Sequence, residues 1–235
     1  MGCTFPYSRS HLCHEENLIS EIESYLTIPK VKSMAFDKEI SRYALGQFVR
    51  EKKLEEIYAE FNTDASFLKL KKGISYSFYK RLRLGAAGYK VTMLVSTAIW
   101  FGTNTETESA LNIFRNYDRN CQNKLKLEDF RQMIDEFLEL TSIFVTIAIK
   151  CYPENMNILE AYLKKIKNGK EYAIGYLTLL INQGENSEYI TLEMYMKAMK
   201  DPLVKKICTS SGFRELLLEC NSLRLEADKI FRQSS

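Results

Sequence analysis

The sequence predicts an all-α protein in which about four helix–loop–helix units are arranged in pairs and followed by one long C-terminal helix. Three observations carry this. Apolar residues recur at helical spacing through most of the chain after residue 21, as in Ile40, Tyr43, Ala44 and Phe48 or Leu54, Ile57, Tyr58 and Phe61. A polar twelve-residue loop at 118–129 stands between two such segments, and a second loop of the same length follows at 183–194. Beyond the last loop, Phe213, Leu217, Cys220, Leu223, Ala227 and Ile230 form an apolar stripe long enough for a helix of its own.

In chain order, residues 1–20 read as an irregular tail, since Pro6, His11 and His14 sit among polar residues without an apolar period. Residues 21–105 form the first pair of units, with a break at Pro29 and a tight connection carrying Arg50 to Lys53. Phe67, Leu68, Ile74, Phe78, Tyr79 and Leu82 continue the helical pattern until LGAAGYK, whose two glycines predict a turn or bent loop. Val91 to Phe101 is apolar enough for a buried helix; its β-branched residues leave a strand as the alternative. Residues 106–207 form the second pair. Ala110, Leu111, Phe114 and Tyr117 lead into the loop at 118, and Phe130, Met133, Ile134, Phe137 and Leu138 lead out. Ile158 to Ile166 and Tyr172 to Leu180 are further helices, and Asp201 with Pro202 stops the chain before the terminal helix of 208–235.

Composition excludes more than it identifies. With 33 basic and 30 acidic residues the chain is too balanced for nucleic-acid binding by charge alone. Six widely spaced cysteines without a C-x-x-C pair, and a start without a secretory pattern, predict reduced thiols in the cytosol. The longest uncharged run, 91–105, is short of the ~20 residues of a bilayer span. Both histidines fall in the tail and no nucleophile elbow or H-E-x-x-H is present, so no enzyme is expected.

The loop YDRNCQNKLKLEDF has the skeleton of a calcium loop, which needs oxygen donors at positions 1, 3, 5, 7, 9 and 12 and a sharp turn at 6. Asp118 takes position 1, Asn120 takes 3, Gln122 takes 5, the Lys124 carbonyl takes 7 and Asp129 takes 12. Asn123 stands where glycine is usual and tolerates the left-handed conformation. Lys126 brings a cation to position 9, and Asp129 is one methylene short of easy bidentate reach. The expectation is a helix connector that holds calcium weakly or not at all, with Lys126 turned to solvent. In the second loop, Gln183 and Met194 occupy positions 1 and 12, so no metal is expected there. Leu125 and Ile190 take position 8 of the two loops, where paired loops of this kind meet through a short β-bridge.

The order of these elements carries a resemblance. MLVSTAIWFGTNTETESALNIFRNYDRNCQNKLKLEDFRQMI resembles the middle of the neuronal calcium sensor (recoverin-like) proteins of the EF-hand superfamily, and YITLEMYMKAMKDPLVKKI their fourth hand and its exit. FDKEISRYALGQFVREKKLEEIYAEF is similar to their first, non-binding hand, and the ciliary EF-hand protein calaxin is a related likeness. The second hand falls near LRLGAAGYKVTMLV, which offers no acidic ligand. The resemblance implies a degenerate EF-hand protein that grips an amphipathic helix or extended segment of a protein partner, largely without calcium. Phe78, Met93, Trp100, Phe101 and Phe137, with Leu217 and Leu223 of the last helix, are the candidate partner-binding residues; core packing is their plainer role. The alternatives are a membrane-tethered calcium sensor with one weak site at 118–129 and a fixed part of a ciliary or cytoskeletal assembly.

Smaller features remain. MGCT places Gly2 and Cys3 where N-terminal acylation acts, although Pro6 departs from the preferred serine or threonine; only acylation would bring the chain to a membrane. His11, Cys13 and His14 lack a second spaced ligand pair for zinc. Lys69, Lys71, Lys72, Lys80, Arg81 and Arg83 read either as a patch for an anionic surface or as a solvated helix face. The terminal stripe must be covered, by the chain's own groove or by a partner.

Overall fold

Ile19 and Ile22 repeat at helical spacing between Glu16 and Glu23, and the chain is helical from His14 to Ser24 (α1), so the tail expected to stay irregular to residue 20 is ordered earlier. The reason is tertiary: both isoleucines are fully buried, and the two glutamates bind an arginine near the opposite end of the chain. The computed structural model describes residues 13–183 and 187–233, and it is mostly helical.

Helix α2 (Ser33–Tyr43) leads through a short strand β1 (Phe48–Val49) into α3 (Glu51–Glu60). Phe48 therefore leaves the helical face on which its spacing placed it; Gly46 at φ +64° turns the chain so that Leu45 and Phe48 exchange backbone hydrogen bonds. α4 (Ser66–Leu70) and α5 (Gly73–Leu82) are separated by left-handed Lys71 and Gly73. The LGAAGYK segment is a hairpin, β2 (Arg83–Leu84) and β3 (Gly88–Lys90), and β3 also pairs with β1 to give the antiparallel order β1-β3-β2. Gly88 has φ +102°, and a Cβ there would stand 2.3 Å from the Val49 carbonyl oxygen, so only glycine lets the two strands approach.

Val91 to Phe101 is a helix (α6), which resolves its strand alternative. α7 (Glu106–Tyr117) starts with a reciprocal cap between Thr105 and Glu108 and ends at the first loop, from which β4 (Lys124–Lys126) runs into α8 (Leu127–Cys151). At 25 residues α8 is far longer than the exit helix its first turns suggested, about 38 Å. α9 (Met156–Asn168), α10 (Lys170–Asn182), β5 (Tyr189–Thr191), α11 (Leu192–Ala198), α12 (Pro202–Lys205) and α13 (Ser210–Gln233) complete the chain. β4 and β5 pair antiparallel with Leu125 opposite Ile190.

The core is one cluster threaded by α8. Phe144 of α8 stacks on Phe78 of α5 at 5.0 Å and meets Phe101 of α6 edge-on at 5.6 Å, so the segments before and after residue 105 share an interior. Phe137 touches Trp100 of α6 at 4.8 Å and Phe213 of α13 at 5.5 Å. Each such fully buried ring contributes about 1.5–3 kcal/mol through removal from water alone.

One charged cluster sits inside this apolar frame. Arg214 of α13 is completely buried and forks onto Glu16 of α1, with Nε to Oε1 at 2.9 Å and Nη2 to Oε2 at 2.8 Å. Its Nη1 donates to Glu23 at 2.5 Å and to Ser210 Oγ at 2.8 Å, and the Tyr162 hydroxyl of α9 donates to Glu16. Burial would weaken the guanidinium's hold on its proton, but the two carboxylates reverse that and raise it above its usual value. Arg214→Ala should strand buried Glu16 and partly covered Glu23 and destabilise the fold by about 3–5 kcal/mol, read as a lowered urea midpoint; a loss under about 1 kcal/mol would contradict this role.

A second tie joins the start of α2 to the start of α7, where Lys32 binds Glu108. That hydrogen bond, with the Thr105 amide, pulls the Glu108 carboxyl from its ordinary 4.5 down to about 2. A depressed carboxyl contributes stability above its unfolded value that disappears as pH falls through the folded one. The melting-temperature gap between wild type and Glu108→Gln should thus narrow on acidification from pH 4.5 toward 2, and a gap independent of pH would remove the tie.

Candidate functional site

The loop at 118–129 hangs between the C-terminus of α7 and the N-terminus of α8, two helices held by buried Ile113, Phe114, Phe130 and Met133. Cys121 and Asn123 both adopt left-handed backbone, φ +51° and +55°, so the asparagine at the turn position does take the conformation that glycine would supply. Asp118 is buried and faces inward. Its Oδ1 accepts from the Gln122 amide at 3.0 Å and its Oδ2 from the Asn123 amide at 2.7 Å, which closes the loop on its own first residue. The far side is tied to the second loop: Leu192 N–H donates to Asn123 O at 2.9 Å and Leu127 N–H to Glu188 O at 3.2 Å.

The side chains singled out by spacing do come together. Asp118, Asn120, Gln122, Lys124, Lys126 and Asp129 line one recess of about 120 Å³, with Arg119 and Tyr189 at its edge. Its charge is mixed: two carboxylates face two lysines and an arginine. Lys126 is exposed, Lys124 lies over the Tyr189 ring at 5.1 Å, and Arg119 is drawn away to Asp37 of α2 at 2.9 Å. No group of three or more histidine, cysteine, aspartate or glutamate side chains that could hold a metal occurs among the described residues. As a donor set for a divalent cation this fits poorly, because only two carboxylates stand among Lys124, Lys126 and Arg119, whose charges oppose a further positive one. In the second loop Gln183 is left-handed and its Oε1 accepts from Lys197 at 3.1 Å, while 184–186 lie outside the described residues.

A polar network missed by spacing supports the loop from inside. Glu136 of α8 is buried and accepts from Tyr117 at 2.9 Å, Thr92 at 2.5 Å and Gln132 at 2.8 Å, and it pairs with Lys90 at 2.6 Å. It thus joins the last residue of α7 to the end of β3 and the start of α6. Burial, then the Glu136 charge, raises Tyr117 well above an ordinary tyrosine. The sequence held a signal: Glu136 shares a helical stripe with Met133, Phe137 and Leu140, where an acid is out of place unless partnered.

The candidate partner-binding residues do not form an open groove. Phe78, Met93, Phe137 and Leu217 are buried, and Trp100, Phe101 and Leu223 are partly covered. The cover is the chain's own: Phe213 packs on Trp100 and Phe137, and the indole N–H donates to Ile207 O at 3.1 Å. α13 is seated closely enough that a Cβ on Gly169 would stand 2.0 Å from Leu217 O. Only beyond Asn221 does the terminal stripe emerge, with Leu223 and Ala227 half-covered and Leu225 exposed. Another cleft, about 380 Å³, is lined by Ala110 of α7, Met196 and Met199 at α11, and Cys208, with Glu106, Lys200 and Lys205 on its rim. Burial pushes the Cys208 thiol up to about 12.

Gly2, Cys3 and His11 lie outside the described residues. His14 Nε2 sits 3.1 Å from Asn155 Oδ1, and Cys13 is exposed. Among the described residues no helix is long and apolar enough to cross a membrane. Comparisons of the chain with family models, with curated proteins and with solved structures give no match.

If Asp118 serves as the clasp of its loop, Asp118→Ala should cost about 1–3 kcal/mol in denaturation, equally with calcium and with chelator, since two backbone donors lose their acceptor. A loss confined to calcium-containing buffer would instead make it a ligand.

Proposed function

We propose that this chain is a non-catalytic adaptor of degenerate EF-hand-like units that binds a protein partner largely without calcium. The observation that carries the reading is the pairing of the two twelve-residue loops, Leu125 opposite Ile190, combined with a first loop whose anchoring carboxylate is engaged by its own backbone amides. The β1–β3 contact between the first helix pair and the second repeats that arrangement in the N-terminal half. Such a scaffold keeps the helix geometry of a sensor while its loops are held by hydrogen bonds in place of an ion.

With the inner aromatic groove filled by α13, the partner's apolar side chains are assigned to the Met196–Met199 cleft. Methionine side chains adapt to varied partners, and the cleft lies within the ~300–1,000 Å³ range of ligand sites. An amphipathic helix or extended segment with an acidic residue beside its anchors would complement Lys200, since Lys205 is already paired with Glu106 at 2.8 Å.

Two measurements test this. Calcium titration by calorimetry should show no micromolar binding, whereas micromolar heat abolished by Asp118→Ala would establish a sensor. The partner recovered from the native source should bind equally in calcium and chelator and lose at least about tenfold affinity with Met196→Asp/Lys200→Glu, two cleft positions that are not buried, by analogy with removal of a binding hot spot. Calcium-dependent recovery, or an unaffected double variant, would sink the adaptor reading or its assigned cleft respectively.

A further inference from the structure

The chain's modest net charge hides a strong segregation. Between residues 65 and 105 there are seven basic residues and no acidic one; the 26 other basic residues face all 30 acidic ones, so the remainder is net negative by four. The fold then sorts the seven. Lys69 reaches Glu55, Arg83 reaches Glu51 and Lys90 reaches Glu136. Lys71, Lys72, Lys80 and Arg81 are exposed and make no ion pair among the described residues. The α3 carboxylates that reach this side of the molecule are therefore already occupied by Lys69 and Arg83.

Lys80 and Arg81 share the solvent side of α5, where Lys80 also lies over the half-covered Tyr76 ring at 6.0 Å. α5 buries Ser75, Phe78, Tyr79 and Leu82 and turns Gly73, Lys80 and Arg81 outward with half-exposed Ser77, a spacing of one helix side. Lys71 and Lys72 stand at its N-terminal end, some 12 Å from Lys80 and Arg81. At each end of this face a leucine projects into solvent, Leu70 at 64% exposure and Leu84 at 46%.

We propose that this face of α4, α5 and the β2–β3 hairpin docks on an anionic lipid bilayer surface. Cations spread over such a length suit many mobile headgroups that can gather around each charge, where one fixed carboxylate or phosphate would satisfy only one of them. The flanking leucines supply apolar contact with the headgroup–acyl boundary, which a nucleic acid backbone does not offer. Attachment of this kind needs no acyl chain and is reversible by salt, since exposed charges are screened within about 8–10 Å at physiological ionic strength.

The test uses the unacylated full chain and sedimentation with vesicles of phosphatidylcholine alone or mixed with phosphatidylserine. Binding should occur only with phosphatidylserine and be lost at about 0.5 M salt. Lys71→Gln/Lys72→Gln and Lys80→Gln/Arg81→Gln should each weaken it roughly 30-fold. Leu70→Ser should weaken it further without lowering the melting temperature, and the control Lys164→Gln/Lys165→Gln on α9 should bind as wild type. Absence of binding to phosphatidylserine vesicles, equal binding to both lipids, or equal loss in the α9 control overturns the proposal. Preference for an acidic peptide or RNA over the vesicles overturns it as well.

Discussion

The buried fork of Arg214 onto Glu16 and Glu23 is the interaction on which the rest of the arrangement depends, because it joins the first described helix to the last across 198 positions of sequence. Charges removed from water are tolerated only when their partners are placed well, and here the guanidinium's donors meet two carboxylates and a serine while Tyr162 satisfies Glu16 from a third helix. With α1 and α13 clasped, α8 and α9 are covered and Phe213 is held against Trp100 and Phe137. A hydrophobic pair could supply comparable burial; it would not set the rotation of both helices as a bidentate fork does.

Against this frame the two short sheets act as local clamps. β1-β3-β2 ties the α2–α3 connection to the α5–α6 connection, and β4–β5 ties the loop at 118–129 to the loop before α11. Glu136 connects the two regions, since it binds Lys90 beside β3 and Tyr117 beside the loop at 118. The geometry of the loop at 118–129 is maintained by Asp118 accepting two amides, by left-handed Asn123 and by Arg119 reaching α2. These hydrogen bonds support the proposal that the protein is a scaffold whose shape does not wait for a signal.

The same economy appears on the surface. The first half of the terminal helix packs on Trp100 and Phe137, and the features left at the periphery include the methionine cleft beside α11 and the cationic face of α5. These lie on different elements and differ in chemistry, one apolar with a charged rim and the other charged with apolar tips. On the two proposals above, a partner and an anionic surface would be engaged by separate parts of the molecule.

By itself the sequence determined the helices, because the period of Leu54, Ile57 and Tyr58 or of Phe130, Met133 and Phe137 is a property of neighbours within a few turns. It likewise determined the turn at Asn123 and the opposition of Leu125 to Ile190, each an apolar residue between polar ones in its loop. Tertiary structure alone decided which stripes face one another: that α1 is ordered, that Phe48 is in a strand, that Phe137 and Leu217 are interior, and that Lys71 is free where Lys69 is paired. Glu16 and Arg214 read as surface charges in a linear pattern, and Glu136 is marked only by its place on an apolar stripe, which does not name its partners. Their burial depends on partners as far as 198 residues away, whose desolvation and hydrogen bonds no local period encodes.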